Sequence, residues 1–323
     1  MNNTRYYNFD FTRAYAVIII VFCHIILYGN QDALYGVGKF LGYCGNVIFL
    51  AISSILFGLK LGAGGGDSFP SLVQFLKTRS IKIFSSLWPF LILINLIYSF
   101  CGVKYSLLKM FFNFIGLSWV AKIDGIGHLW FITMIFICYV VFALLAHINN
   151  TKPWLRWGWL TILLEFIIDA KGLPGQLLVI LFLCSWLFCN AQVFMDKVKD
   201  SKWKWLILFG IPLNILTLCL CCHTHFFCEI TIKRLLSYMC GMFWLVVLLK
   251  IGSQVNKNRI IVFLSSISFE IYLIHHPLCG GPISLAHIVS GRWLQVLLIC
   301  FLSIVIGWFL HLIGRRISKM FVN

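Results

Sequence analysis

Three residues near the N-terminus combine side-chain type and spacing in a way that could do chemistry. They sit in the segment Asp10-Phe-Thr-Arg13-Ala-Tyr-Ala-Val-Ile-Ile-Ile-Val-Phe-Cys-His24. On a helix the step from Arg13 to His24 turns about 1100°, so both side chains lie within about 20° of one face, roughly 16 Å apart along the axis. Asp10 falls one turn before Arg13 and can pair with it. Such a track holds a permanent cation at one end and a titratable base deeper in. An imidazole can take a proton from a hydroxyl near neutral pH, the step that acyl transfer needs. A guanidinium suits anion recognition or oxyanion stabilisation. The plainer reading is an arginine that snorkels to an interface and a histidine satisfied in helix packing.

Further polar residues interrupt apolar sequence downstream. Arg79 and Lys82 share a helix face and could hold phosphates, or simply anchor the inner membrane surface. His128 and Trp130 stand at the head of an apolar run, where they could shape a site or an acceptor surface, and where Trp also serves as an interfacial anchor. Glu270, Tyr272, His275 and His276 share one apolar stretch; a carboxylate and imidazoles there must be paired or face a wet cavity. Glu270 could pair with Arg13 or with a histidine. The cluster Cys219-Leu-Cys221-Cys222-His223-Thr-His225-Phe-Phe-Cys228 invites a zinc reading, but structural sites usually show two separated ligand pairs, and no metal is expected. Glu165 and Asp169 could line a cavity. The sequence contains no phosphate loop, dinucleotide fingerprint or serine nucleophile elbow.

The elements that must position these groups follow from composition. The chain has 323 residues, 61% hydrophobic and only 11% charged, with a net charge of +16. Soluble domains are about 45–50% apolar and about 25% charged, so a soluble enzyme is excluded. The expectation is an all-α, polytopic membrane bundle forming a single domain over 1–323, with the lipid bilayer as its solvent. Ten spans are expected, at 12–28, 37–59, 83–100, 128–147, 154–169, 175–194, 205–222, 235–250, 260–278 and 293–313. The stretch 105–120 is too short to span and reads as interfacial or re-entrant. With the N-terminus inside, seventeen of the 26 Lys and Arg fall in inner segments or at the inner ends of the adjoining spans, which favours both termini in the cytoplasm. The charge therefore reports topology, and nucleic acid is not an expected partner. Arg13 and the lack of a small-residue cleavage site argue against a removable signal peptide. The 13 cysteines sit mostly inside apolar runs and do not form a disulfide framework.

At this point the residues resemble a known family. Arg13 and His24 are similar to the arginine–ten residues–histidine signature of the acyltransferase-3 family of integral membrane acyltransferases. Gly42-Tyr-Cys-Gly45-Asn46-Val-Ile-Phe49 resembles its glycine- and phenylalanine-rich second span, and Phe75-Leu-Lys-Thr-Arg79-Ser-Ile-Lys82 its basic element before the third, with Lys82 where a second Arg is common. Gly127-His128-Leu-Trp130-Phe131 resembles the fourth-span motif, and Ser268-Phe-Glu270-Ile-Tyr272-Leu-Ile-His275-His276-Pro277 the late one. The family's frequent Glu after the fourth-span Trp is replaced by apolar sequence and Thr133. A soluble esterase-like domain, which some members carry after the last span, is not expected here.

The resemblance implies transfer of an acyl group, usually acetyl, from acetyl-CoA or another acyl-CoA to a hydroxyl of a cell-surface polysaccharide or lipid-linked sugar precursor. The implied location is the bacterial cytoplasmic (inner) membrane. On that reading His24 is the general base and Arg13, oriented by Asp10, binds a donor phosphate or polarises the carbonyl. Arg79 and Lys82 contact the coenzyme, His128, Trp130 and Tyr272 face the acceptor, and Glu270 and His275 support. A transporter or flippase for a glycan or small polar substrate is the alternative from another class, its buried charges then being a substrate path.

Overall fold

The computed structural model describes residues 6–29, 32–62, 72–151, 173–222 and 230–322. Among them twelve α-helices follow in order: α1 (Tyr7–Leu27), α2 (Asp32–Gly62), α3 (Leu72–Phe100), α4 (Leu107–Phe114), α5 (Trp130–Thr151), α6 (Leu173–Cys189), α7 (Ala191–Asp200), α8 (Trp203–Cys222), α9 (Ile230–Gln254), α10 (Arg259–Ser266), α11 (Ser268–Cys279) and α12 (Arg292–Val322). Only helices satisfy every backbone group within the segment itself, which is what a lipid environment demands short of a closed barrel. The expected span 154–169, with Glu165 and Asp169, lies outside the described residues, as do His223, His225 and Cys228.

Seven helices are long and apolar enough to cross a membrane, or nine spans if each of two bent pairs is counted as one. The chain is thus a polytopic helical bundle. Two expectations change in detail, and the ninth span, which polar residues already interrupt in the sequence, is broken. The sixth span is not one straight rod: α6 and α7 meet at an 84° bend around Asn190. There the apolar run gives way to an amphipathic segment that buries Ala191, Met195 and Val198 and turns Gln192, Asp196 and Lys199 outward. The ninth span breaks at Ile267, where α10 and α11 diverge by 69°. The third helix starts at Leu72, so Arg79 and Lys82 stand within it rather than ahead of it. The 105–120 stretch holds the eight-residue α4, with Met110 and Asn113 inward and Leu107, Leu108 and Phe111 exposed, an interfacial pattern.

Helix α1 is the hub, packing on α2, α9, α10 and α11. Its contact with α2 depends on small residues. A Cβ on Gly42 would lie 2.8 Å from Cys23 Sγ, and one on Gly45 would lie 2.6 Å from Ile20 Cγ1. Glycines at one-turn spacing therefore let the two backbones approach, which is the physical content of the second-span motif. Around this pair, Leu87, Phe90, Leu129, Ile132 and Phe142 fill the largest core, and Val17, Val21, Ile271 and Ile299 join α1, α11 and α12. Trp293, Leu297 and Phe301 on α12 are exposed, as a lipid-facing surface requires.

Candidate active site

The Arg13–His24 face of α1 opens onto two cavities, one at each end. The first, of about 410 Å³, is basic: Arg13 of α1, Arg79 and Lys82 of α3 and Arg315 of α12 all line it. Its one lining carboxylate among the described residues, Glu270, is engaged from two sides, accepting from Ser86 Oγ at 2.8 Å and from His311 Nδ1 at 3.2 Å. Pro89 helps to build this wall: lacking an N–H, it leaves the Ser85 carbonyl without its helical partner. Gly314 of α12 packs close to that carbonyl and to Ser86 Oγ. The Arg79 guanidinium lies 4.2 Å above the Phe57 ring, and its buried Nε has no hydrogen-bond partner among the described residues. Among the described residues, four cations beside one occupied carboxylate leave this cavity with an excess of positive charge.

The second cavity, of about 180 Å³, is lined by His24, His128, Trp130 and Tyr272 with Lys39, Tyr43 and Asn46 of α2. Four imidazoles gather there. Ring centroids are 4.9 Å apart for His24 and His275, 4.7 Å for His24 and His276, and 4.3 Å for the stacked pair His128 and His276. Among the described residues no group of His, Cys, Asp or Glu is arranged to hold a metal ion.

The hydrogen bonds fix the proton positions of three of these rings. A carbonyl only accepts, so His275 Nδ1–H donates to Ile271 O at 3.1 Å and leaves Nε2 as an acceptor. His24 Nδ1–H therefore donates, shared between Ile20 O and His275 Nε2, both at 3.0 Å. Neutral His24 is left with its lone pair on Nε2, the form a general base requires. By the same logic His276 Nδ1–H donates to Gly125 O at 2.8 Å and its Nε2 accepts from the Tyr28 hydroxyl at 3.3 Å. His128 differs: it is 3% exposed, and neither of its ring nitrogens meets hydrogen-bond geometry among the described residues. Tyr272 donates its hydroxyl to the His128 carbonyl, which holds the Gly127–Trp130 turn on α11.

The expected residues thus divide. His24, His128, Trp130 and Tyr272 line one cavity, with His275 behind His24; Arg13, Arg79, Lys82 and Glu270 line the other. Asp10 is buried below Arg13 and accepts from Ser265 Oγ at 2.8 Å. Glu270 does bind a histidine, but that histidine is His311 of the last helix. His311, Arg315, Tyr28, Lys39 and Ser86 were not singled out from sequence. The spacing of four between His311 and Arg315 was the available signal.

Neither a curated protein nor a solved structure matches the chain. A family model described as an acyltransferase domain matches residues 6–312, which include every lining residue named above except Gly314 and Arg315. The protein belongs to the acyltransferase-3 family and is a membrane acyltransferase.

Proposed function

We propose that the protein transfers an acetyl group from acetyl-CoA to a hydroxyl of a cell-envelope glycan or its lipid-linked precursor, with His24 as general base. The observation that carries this reading is the tautomer of His24, whose Nδ1–H is committed to Ile20 and His275 while Nε2 is left basic beside a cavity. The acceptor oxygen attacks the thioester carbonyl as His24 Nε2 takes its proton. The C–S bond breaks and coenzyme A leaves as the thiolate, which is reprotonated. No protein nucleophile is needed. His128 and Asn46 offer hydrogen-bonding groups to the acceptor, and Trp130 offers a face on which a sugar ring can stack.

The coenzyme's phosphates and nucleotide occupy the basic cavity, where Arg79 has a buried donor to spare. Arg13 stands roughly 16 Å from His24 along α1, too far to polarise the reacting carbonyl, so of its two expected roles phosphate binding is favoured. The excess of Lys and Arg in the inner segments supports a cytoplasmic opening for that cavity in a bacterial inner membrane.

The test is acetyl transfer by the purified protein from labelled acetyl-CoA to candidate glycans. A folded His24→Ala variant is expected to lose about 10²- to 10⁴-fold in rate. Full transfer by that variant would sink the assignment.

A further inference from the structure

The two cavities meet at a layer of four aromatic rings. Phe49 and Phe269 line the basic cavity, and Phe131 and Tyr272 line the histidine cavity. Phe49 stands edge-on to Phe131, with centroids 6.4 Å apart and planes at 82°. Phe269 lies nearly parallel to Tyr272 at 6.5 Å, and Phe131 and Tyr272 are 5.4 Å apart. These are ordinary ring-contact separations, so the four rings form a continuous row, Phe49–Phe131–Tyr272–Phe269, between the two cavities.

The layer is asymmetric. On the histidine side Phe131 and Tyr272 are buried, and the Tyr272 hydroxyl is tied to the His128 carbonyl. On the basic side Phe49 and Phe269 are only partly buried and border the larger, open volume. A ring with free volume on one side can turn; a ring packed all round cannot.

We propose that these four rings form the aperture through which the acyl-carrying arm of the donor reaches His24, with Phe49 as the moving ring, and that the Phe49–Phe131 contact sets the largest acyl group transferred. The inference rests on the donor reading above. If the polyanionic end of coenzyme A is held at Arg13 and Arg79 while its thioester reacts at His24, the chain between them must cross the rings that border both cavities. A slim unbranched arm can pass between an edge and a face once Phe49 turns. The acyl group must pass with it, and beyond the rings it shares about 180 Å³ with the acceptor hydroxyl. The same rings also restrict water at the thioester until the acceptor is bound.

The test uses the full chain in lipid nanodiscs, supplied with acetyl-, butyryl- or hexanoyl-CoA, and reads two quantities: coenzyme A binding by calorimetry and the ratio of butyryl to acetyl transfer. One methylene in a fitted apolar pocket is worth about 10- to 200-fold in discrimination, so Phe49→Ala and Phe131→Ala should raise that ratio at least about tenfold. Phe49→Trp should bind coenzyme A yet transfer acetyl at least about tenfold more slowly. Phe49→Leu and Phe131→Leu give smaller shifts in the same direction and serve where the alanine variants fail to fold. Folded variants that bind coenzyme A with an unchanged ratio overturn the aperture while leaving the donor reading standing. Wild-type protein that binds no coenzyme A overturns the donor reading and the aperture with it.

Discussion

His275 holds the ring of His24 from a neighbouring helix, its Nε2 lying 3.0 Å from Nδ1 of His24. Because His275 is itself anchored to Ile271 O, the pair fixes both the orientation and the tautomer of the residue that would take the acceptor's proton. His275→Ala leaves only the Ile20 carbonyl to orient His24. The expected outcome is a fall in kcat of about 10²-fold, with the KM for acetyl-CoA little changed. His275→Gln, which can again present an acceptor to His24, should recover part of the loss; a merely structural role for His275 would give no such rescue.

Arg79 is expected to act on donor affinity. Arg79→Ala removes a half-buried cation with a spare donor, and coenzyme A binding measured by calorimetry should weaken about tenfold, about 1.4 kcal/mol. A membrane anchor alone would leave that affinity unchanged. Comparison with a donor lacking the 3′-phosphate tells which phosphate Arg79 meets.

Glu270 is expected to act on stability first. Its carboxylate satisfies Ser86 and His311 in a buried setting, so Glu270→Ala strands both and should cost about 1–3 kcal/mol. Thermal unfolding in detergent, run as a double-mutant cycle with His311→Ala, measures the coupling. Additive losses would mean that the contact carries no energy.

Gly45 is expected to be intolerant of the smallest enlargement. Alanine has the higher helix propensity, but its Cβ would sit 2.6 Å from Ile20 Cγ1 in a buried contact. Overpacking of this kind costs about 1–3 kcal/mol, so Gly45→Ala should unfold at lower temperature. It should also lose acyl transfer, because Ile20 carries the carbonyl that orients His24.

Much of this architecture is legible in the sequence because it is local. Apolar runs long enough to span coincide with the nine spans found among the described residues, the two bent pairs included. The Arg13–His24 spacing alone puts both groups on one face at opposite depths. What was not legible depends on partners far apart in the chain. The Glu270–His311 contact joins residues 41 positions apart, and helical periodicity carries no information about which face of α11 meets α12. The second partner that holds the His24 ring lies 251 positions away. The bend at Asn190 was hidden because the apolar run continues across it to Ala191 and Val193, and hydropathy does not register direction. The aromatic layer was hidden for a similar reason: Phe49, Phe131 and Phe269 look like ordinary core residues until two cavities are seen on either side of them.

Between Arg13 and His24, α1 contains neither glycine nor proline, and the helix is continuous from Tyr7 to Leu27. It has no hinge, so the two ends of the site belong to one mechanical strut. Whatever moves during turnover moves around α1. The strut also acts as a gauge: inserting one residue within 14–23 would rotate His24 by about 100° relative to Arg13 and lengthen the gap by about 1.5 Å. A deletion would do the reverse. On the donor reading proposed above, such a change of register would part the phosphate-binding end of the site from its base, whereas a substitution on the exposed face at Tyr15, Ile18 or Phe22 would leave both in place.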